Sequence, residues 1–521
     1  MTQDSSPVGP RPDLRWPAAL LGLWLVVFAV LALTGPGRMD IVDGQLRYAV
    51  AESLYEHGDS VVRDPDITFH VYPGRDGQRY TSYRLPQTVL GVGAIWLADR
   101  FGPPDDTRRH FLFVLTSAAA AGLVAVGLAD WFRQSGLSAR AAVGWAAAGV
   151  FCTPVWYYGT STFDDILGTA GVVLGLAFAR RARNGAGWVW VAGMAAAAAW
   201  LVNCKPPLGL FLIPFLVAAD NPAWCWRRRL GVAGVIVAGA AVGVVVYKWY
   251  ELYKFPPGTA DWLPMFIAEY GPIWTTNPIP GLSSFLFSLG AGVFFYCPPF
   301  ALACVGIGYG SGDRAVRWAI ALGALAFTWS VCHLTFFKGT PGWGPRYLTP
   351  VFAAAWVYAP AGAALLSRRL VVAALAAGLV VQLLALAVDP WRLHLTETMP
   401  DKYYLIDPWT EFNPRYSDLP QRPGQIVGVL RAAPREEFSP AKIPTHTPGA
   451  FYWTEVPSLM DRYYVTNGFR PWPIAYQHLA PERRPVPYWG MIAVLGLAVG
   501  AGAGLMGWAS RRVSEDERAV H

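Results

Sequence analysis

Two carboxylates lie close together in the chain, directly after its first long apolar run. Asp40 and Asp43 are three residues apart in the segment Arg38–Tyr48, a spacing that lets both side chains share one face if the segment is helical. Such a pair could act as a general base or bind a divalent cation. It could also do no more than cap the amphipathic helix that we expect to end at Gly58. The residues alone leave both interpretations open.

A second acidic pair, Asp164 and Asp165, falls at a short turn between two apolar runs. Carboxylates at the edge of a membrane carry a high desolvation cost unless a cation neutralises them. The pair therefore favours a functional role.

Basic residues that could meet an anionic ligand are found in three places. Arg79 and Arg84 lie at a predicted hairpin tip that leads into an apolar helix, where they could clamp an anion or contact lipid headgroups. Lys205 interrupts an apolar run just before two prolines. Its ammonium could bind phosphate or extend outward from a helix end to reach water.

The most distinctive basic position is Arg346. It follows a turn rich in Gly and Pro and stands at the start of another apolar run, with His333 and Lys338 shortly before it. A planar guanidinium suits bidentate contact with phosphate, although a single Arg at a span end often only anchors the span at the membrane surface. We expect acids of the first loop to face these later bases and to form one site for a phosphorylated substrate and a metal ion.

The elements that must position these residues follow from the composition. The chain has 521 residues, of which 54% are hydrophobic and only 15% charged, and its mean hydropathy is +0.31. Soluble globular chains have about 25% charged residues. The apolar residues gather in runs that are long enough to cross a hydrocarbon core of about 30 Å. The sequence therefore predicts an all-α polytopic membrane protein with about twelve transmembrane helices of about 20 residues each.

The net charge of +7 is explained by topology. Most basic residues occur in short clusters between apolar runs, which is typical of cytoplasmic loops. Nucleic-acid binding is excluded on this pattern, and both termini are predicted to be cytoplasmic. The clusters are Arg180–Arg183, Arg227–Arg229, Arg314 with Arg317, Arg368–Arg369 and Arg511–Arg512.

Three regions follow from this topology. Residues 1–388 form a predicted transmembrane module whose first outer loop covers residues 35–109. Residues 389–487 form a mostly irregular outer cap rich in Pro and aromatic residues, in which residues 425–430 could be a strand. Residues 488–521 form the last transmembrane helix and a cytoplasmic tail. We expect residues 85–98 to be a juxtamembrane helix on the outer face, because a further crossing would invert every later loop.

Four strings of residues, taken in this order and placement, resemble the GT-C class of membrane glycosyltransferases. The branch that the chain resembles is the bacterial one related to protein O-mannosyltransferases and lipid A aminoarabinose transferases. The strings are Asp40–Tyr48, Tyr80–Gln87, Val293–Pro299 and Gly342–Leu348.

The resemblance implies an inverting transfer of one hexosyl- or pentosyl-type sugar from a polyprenyl-phosphate donor. The acceptor would be a glycan, a lipid or a protein at the outer face of a bacterial plasma membrane. It assigns activation of the acceptor to Asp43, with Asp40 second. The predicted donor-phosphate ligands are Arg346, Lys205, Arg84 and Lys338, and the predicted ligands of a divalent cation, Mg²⁺ or Mn²⁺, are Asp43, Asp164 and Asp165.

Two other classes of function fit parts of this pattern. A transporter or flippase for an anionic lipid or glycolipid would also have about twelve spans and charges within the membrane. Against transport stand two large outer segments, no evident repeat, and chemically reactive residue types at one face of the membrane. A polymerase or ligase of surface polysaccharide would differ only in its acceptor.

Overall fold

The computed structural model describes residues 15–65, 67, 70–185, 187–258, 263–265, 267, 277–334, 337–339, 342–388, 411–414, 417–431, 469–475 and 487–519. Helices dominate these residues, and the only β-sheet among them is a two-stranded hairpin. The prediction of an all-α polytopic membrane protein is confirmed.

Six of the described helices are long and apolar enough to cross a membrane. They are α1 (Arg15–Thr34), α4 (Asp106–Gln134), α10 (Trp226–Lys254), α14 (Arg314–Cys332), α17 (Arg368–Ala387) and α20 (Tyr488–Ala519). Only 17% of the apolar stretch of α10 and 11% of that of α20 is buried in the protein. Such outward apolar faces are stable against lipid tails and unfavourable in water.

The other predicted spans correspond to shorter or interrupted helices. Three follow α4: α5 (Ala139–Phe151), α6 (Val155–Gly159) and α7 (Asp165–Arg183). Next come α8 (Trp188–Cys204), a 3₁₀ segment (Pro206–Phe211) and α9 (Leu212–Ala219). The later ones are α11 (Pro278–Phe287), α12 (Val293–Tyr296), α13 (Phe300–Tyr309), a 3₁₀ turn (Arg346–Leu348), α15 (Thr349–Trp356) and α16 (Ala359–Ala363). Several of the breaks coincide with prolines, such as Pro206–Pro207 and Pro298–Pro299, because proline lacks the N–H that a helix interior needs.

The loop between α1 and α4 is ordered by two helices and a hairpin. These are α2 (Val42–His57), β1 (Val71–Pro73), β2 (Arg79–Thr81) and α3 (Leu85–Asp99). The strands are antiparallel, with Tyr72 opposite Tyr80, and Asp76 at their tip adopts a φ of 55°. The predicted hairpin and the predicted helix over residues 85–98 are therefore both present.

The cap contains more helix than the sequence predicts. The expected strand at residues 425–430 is wrong, because these residues belong to α18 (Asp418–Arg431); a second short helix is α19 (Trp472–Ala475). Leu419, Ile426 and Val429 recur at helical spacing, and Val429 packs against Val388. This packing outweighs the strand preference of the β-branched residues. Most of the predicted irregular cap lies outside the described residues.

The core centres on α7. This helix packs against α4, α8, α9 and α15, and most of its residues are buried. Its first turn carries Asp165, so a largely buried helix positions one of the predicted site residues.

Candidate functional site

The ends of four structural elements meet at one place and bring five of the predicted site residues together. Asp43 lies in the first turn of α2, and Asp164 and Asp165 begin α7. Lys205 directly follows α8, and Arg346 opens the 3₁₀ turn before α15. We call these five residues the charge cluster.

Arg346 is at the centre of the charge cluster. Its Nε is 3.3 Å from Asp165 Oδ2, and its Nη1 is 4.0 Å from Asp43 Oδ2. The guanidinium carbon lies 4.0 Å from the ring centre of Phe163, and Nη2 donates to the Tyr347 hydroxyl at 3.0 Å. The Arg346 guanidinium is therefore buried, shared between two carboxylates, and fixed in orientation by aromatic rings.

The turn before Arg346 explains the glycine at position 339. Gly339 has a φ of +73°, and a Cβ there would lie 2.6 Å from Arg346 Nε. A side chain at this position would be strained in the left-handed region and would displace the guanidinium.

Lys205 supplies a second cation to the charge cluster. Its Nζ is hydrogen-bonded to Asp165 Oδ1, lies 3.4 Å from Asp164 Oδ1 and lies 4.5 Å from the ring centre of Tyr347. Arg47, on α2, adds a third cation, because its Nη2 is 3.1 Å from Asp164 Oδ2.

Asp43 is one of the more accessible acids of the charge cluster. Its side chain is 17% exposed, whereas that of Asp165 is 2% exposed. The Tyr83 hydroxyl donates a 2.7 Å hydrogen bond to Asp43 Oδ1. Burial, and then the charge of Asp43, raise the pKa of Tyr83 well above its usual value. Tyr83 therefore stays protonated and remains a donor to Asp43.

Arg47 packs against the same tyrosine. Its guanidinium carbon lies 4.3 Å from the ring centre of Tyr83. Burial alone would lower the pKa of Arg47, but Asp164 and Asp43 outweigh it and the pKa is raised. The buried nitrogen Arg47 Nη1 has no hydrogen-bond partner, whereas Arg346 Nε faces Asp165 Oδ2 in the 3.3 Å ion pair.

Asp40 lies in different surroundings from Asp43. Its Oδ1 accepts hydrogen bonds of 3.0 Å from both the backbone N–H and the hydroxyl of Thr162. Its Oδ2 is 3.0 Å from Nη2 of Arg470, and the two side chains are 1% and 0% exposed. We call this pair the buried lock. The lock joins the segment before α2 to the segment before α19, and a catalytic role for Asp40 stays a prediction.

The two other predicted phosphate ligands are not in the charge cluster. Arg84 donates from Nη1 to the carbonyl oxygen of Cys204 at 3.2 Å, so it lies beside Lys205. Lys338 is turned toward the cap, where its Nζ is 2.9 Å from Glu411 Oε2 and 3.8 Å from Asp418 Oδ2. Their roles stay predictions.

Sequence reasoning missed Arg47, Tyr83 and Arg470 as members of these two sites. Arg47 follows Asp43 by four residues, and this spacing on a predicted helix is the signal that could have found it. Tyr83 stands within a string already singled out by its likeness. Arg470 is 430 positions from Asp40, and no local pattern connects the two.

The carboxylates of the charge cluster do not fit a metal site in this arrangement. Asp165 is bound by Lys205 and Arg346, and Asp164 is bound by Arg47 and Lys205. Across the described ranges, no group of three or more His, Cys, Asp or Glu residues is arranged to hold a metal ion. Side-chain cations already provide the charge that a divalent ion would supply.

The fold and the charge cluster together define a helical membrane protein with a polar site at one end of its bundle. No protein-family model and no curated protein matches the chain. Among solved structures, the chain is similar to ArnT from Cupriavidus metallidurans bound to undecaprenyl phosphate, with a TM-score of 0.45, 16% identity, and coverage of 95% of this chain and 77% of that chain. The apo state of the same protein gives a TM-score of 0.44 with the same identity and coverage.

ArnT is a lipid A aminoarabinose transferase of the GT-C class, which is the branch that the sequence resembles. A similarity of this degree does not define function, so the function proposed below is argued from the residues of this chain.

Proposed function

We propose that this protein is a membrane glycosyltransferase that moves one sugar from a polyprenyl-phosphate donor to an acceptor, with inversion at the anomeric carbon. The observation that carries the proposal is the charge cluster. In it, a partly exposed carboxylate, Asp43, stands 4.0 Å from a buried guanidinium, Arg346. A base and an anion-binding group side by side are what transfer from a phosphate leaving group requires.

The reaction is a single displacement. The acceptor hydroxyl attacks the anomeric carbon and forms a new C–O bond while the bond between that carbon and the phosphate oxygen breaks. The electron pair of the broken bond goes to the phosphate, and the hydroxyl proton goes to Asp43. Attack opposite to the leaving group inverts the anomeric configuration.

The cations of the charge cluster stabilise the charge that develops on the phosphate. Arg346 and Lys205 approach from the helix ends, and Arg84 stands beside Lys205. The buried nitrogen Arg47 Nη1, which has no hydrogen-bond partner, can donate to a phosphate oxygen. A buried, preorganised donor stabilises such charge far better than water does.

On this proposal Tyr83 orients the carboxylate of Asp43, the general base. Its hydrogen bond to Asp43 Oδ1 leaves Oδ2 for the acceptor proton. On this proposal the other cluster carboxylates, Asp164 and Asp165, hold the cations in place and take no proton.

The cellular setting is part of the same proposal. The site would face the outer side of a bacterial plasma membrane, with both termini cytoplasmic. The transferred sugar would be of the hexosyl or pentosyl type, and the acceptor would be a glycan, a lipid or a protein. The positive clusters of the sequence support this orientation.

The test is transfer by the purified protein in nanodiscs, supplied with a polyprenyl-phosphate sugar and a membrane extract as a source of acceptors. We expect wild type to release polyprenyl phosphate, and Asp43→Asn to lower the rate by about 10²- to 10⁴-fold, which is the usual contribution of a general base. The matched control is Asp76→Asn, which makes the same chemical change at an exposed hairpin tip with a φ of 55° that Asn tolerates.

Two outcomes would contradict the proposal. One is a full rate of release from Asp43→Asn together with Arg346→Ala. The other is movement of the lipid-linked sugar across liposomes without chemical change, which would identify a transporter.

A further inference from the structure

A polar cavity lies on the far side of α2 from the charge cluster. Its volume is about 240 Å³, and Gln45, Ala49, Glu52 and Glu56 contribute one wall. These residues are spaced four, three and four apart, so they share one helix face. Asp43 is two residues before Gln45, and residues two apart point to opposite sides of a helix. The cavity is therefore separate from the charge cluster.

The cavity has an excess of carboxylates. Glu52, Glu56 and Asp106 line it, and the arginine among its lining residues is Arg63. Arg63 is already paired with Asp59, at 2.6 Å between Nη2 and Oδ2. The positive charge of Arg63 is thus matched by an acid that does not line the cavity.

A further cation, Arg109, contacts two of these carboxylates although it is not among the lining residues of the cavity. Arg109 Nη1 is 2.8 Å from Glu56 Oε1 and 3.6 Å from Glu52 Oε1. The same guanidinium makes two hydrogen bonds to Asp99, at 2.9 and 2.7 Å. The single positive charge of Arg109 is therefore shared among three acids, so the carboxylates that line the cavity keep a net negative charge.

Burial and this excess of negative charge raise the pKa of Glu52. Burial raises its pKa first, and the neighbouring Glu56 and Asp106 raise it further. A positive charge inside the cavity would relieve both of these repulsions.

An independent observation points to a ligand with N–H groups. Gln45 is only 5% exposed, and its side-chain Oε1 has no hydrogen-bond partner. A buried carbonyl oxygen without a donor costs about 1–3 kcal/mol. Because Gln45 lines the same cavity as the carboxylates, a donor placed there could turn toward this oxygen and satisfy it.

We propose that this cavity binds a small organic ammonium group, whose N–H donors reach Gln45 Oε1 and the carboxylates of Glu52 and Glu56. The size agrees with a small ligand, since pockets for drug-sized molecules span about 300–1,000 Å³. A free amine and a lipid headgroup both carry such an ammonium, and the chemistry that recognises it is the same. The inference depends on the cavity alone and not on the proposed function.

The first experiment is titration calorimetry of the full-length protein, in a detergent without ammonium groups, with ethanolamine as the probe. Ethylene glycol is the uncharged analogue of similar size, and choline is the cation without N–H donors. We expect ethanolamine to bind at least tenfold more tightly than either. Equal affinities for ethanolamine and ethylene glycol, or Mg²⁺ binding that displaces ethanolamine, would overturn the proposal.

Two variants locate the binding. Glu52→Gln removes a charge and Gln45→Leu removes the buried acceptor. We expect at least tenfold weaker ethanolamine binding in the first and severalfold weaker binding in the second. Asp76→Asn is the matched control and keeps the wild-type affinity. Thermal unfolding of each variant shows that it is folded. Wild-type affinity in a folded Glu52→Gln would refute the site.

The source of the ammonium is decided in nanodiscs. If a lipid headgroup occupies the cavity, nanodiscs with ethanolamine-headgroup lipids will weaken the binding of free ethanolamine, and nanodiscs with glycerol-headgroup lipids will not. If the ligand is a free amine, the affinity will be the same in both. Either result supports the ammonium site and assigns its source.

Discussion

Asp40 and Asp43 are three residues apart, and the structure gives them opposite surroundings. In the buried lock, Asp40 uses both carboxylate oxygens on Thr162 and Arg470 and is 1% exposed at its side chain. In the charge cluster, Asp43 receives one hydrogen bond from Tyr83, stands 4.0 Å from Arg346 and is 17% exposed.

The same residue type therefore has a structural role at one position and a proposed catalytic role at the other. A carboxylate that is fully bonded and enclosed stabilises the fold and has no capacity left for a substrate. A carboxylate held by a single donor, with an oxygen still reachable, can take a proton. The predictions below test whether the two aspartates differ in this way.

The largest expected effect is on stability, in Asp40→Asn. This change removes the negative charge that faces Arg470 in a dry environment, and breaking a buried ion pair costs about 3–5 kcal/mol. We expect a clear fall in the unfolding temperature of Asp40→Asn, measured in detergent. Asp43→Asn should unfold close to wild type.

The double variant Asp40→Asn with Arg470→Gln sharpens the comparison. It removes both charges of the buried ion pair, so we expect it to recover part of the stability lost in Asp40→Asn. If Asp40→Asn unfolds like wild type but is inactive, Asp40 belongs to the catalytic machinery and the division between the two aspartates is wrong.

The second largest effect is expected for Arg346→Lys. Lysine keeps the charge but loses the planar fork that reaches Asp165, Asp43 and Tyr347 together. We expect kcat to fall about 100-fold, similar to the loss of one preorganised donor at a developing anion. The release of polyprenyl phosphate measures it.

Arg100→Lys provides the control for Arg346→Lys. Arg100 is exposed and stacks on Trp96, away from the charge cluster, so this variant should keep the wild-type rate. An unchanged kcat in Arg346→Lys would mean that a point charge is sufficient at this position.

Much of the charge cluster could be predicted from the sequence because its members stand at helix ends. Prolines, glycines and the limits of apolar runs mark those ends, and they placed Asp43, Asp165, Lys205 and Arg346 at one side of the membrane. The buried lock could not be predicted in this way, because it joins two segments about 430 residues apart that no shared pattern connects.

The cap shows the same limit of local patterns. Residues 425–430 have the β-branched composition of a strand, yet they form part of α18. What decides their conformation is the packing of Val429 and Ile426 against Val388, and only the tertiary structure supplies that contact. Lys338 likewise pairs with Glu411, an acid more than 70 residues away.

A smaller effect is expected for Tyr83→Phe. The change removes the 2.7 Å hydrogen bond to Asp43 and keeps the ring against Arg47. A hydrogen bond to a charged group contributes about 1.5–3 kcal/mol, so we expect at least a tenfold lower kcat with an unchanged KM.

The pH dependence of this effect is also fixed by the structure. Because burial raises the pKa of Tyr83 well above its usual value, its hydroxyl stays protonated between about pH 6 and 9. The ratio of the wild-type and Tyr83→Phe rates should therefore be constant across that range. Tyr309→Phe, at a tyrosine that is 83% exposed, should match wild type. A ratio that approaches one at the upper end of the range would show that Tyr83 loses its proton there.

The smallest expected effect is that of metal removal. Lys205, Arg346 and Arg47 already neutralise the carboxylates that a divalent cation would need, so we expect EDTA to leave the transfer rate unchanged. A loss of activity that Mg²⁺ or Mn²⁺ restores would show that these carboxylates exchange their side-chain cations for a metal ion during the reaction. Asp43 would then bind the metal, and its contrast with Asp40 would be one between a ligand and a structural ion pair.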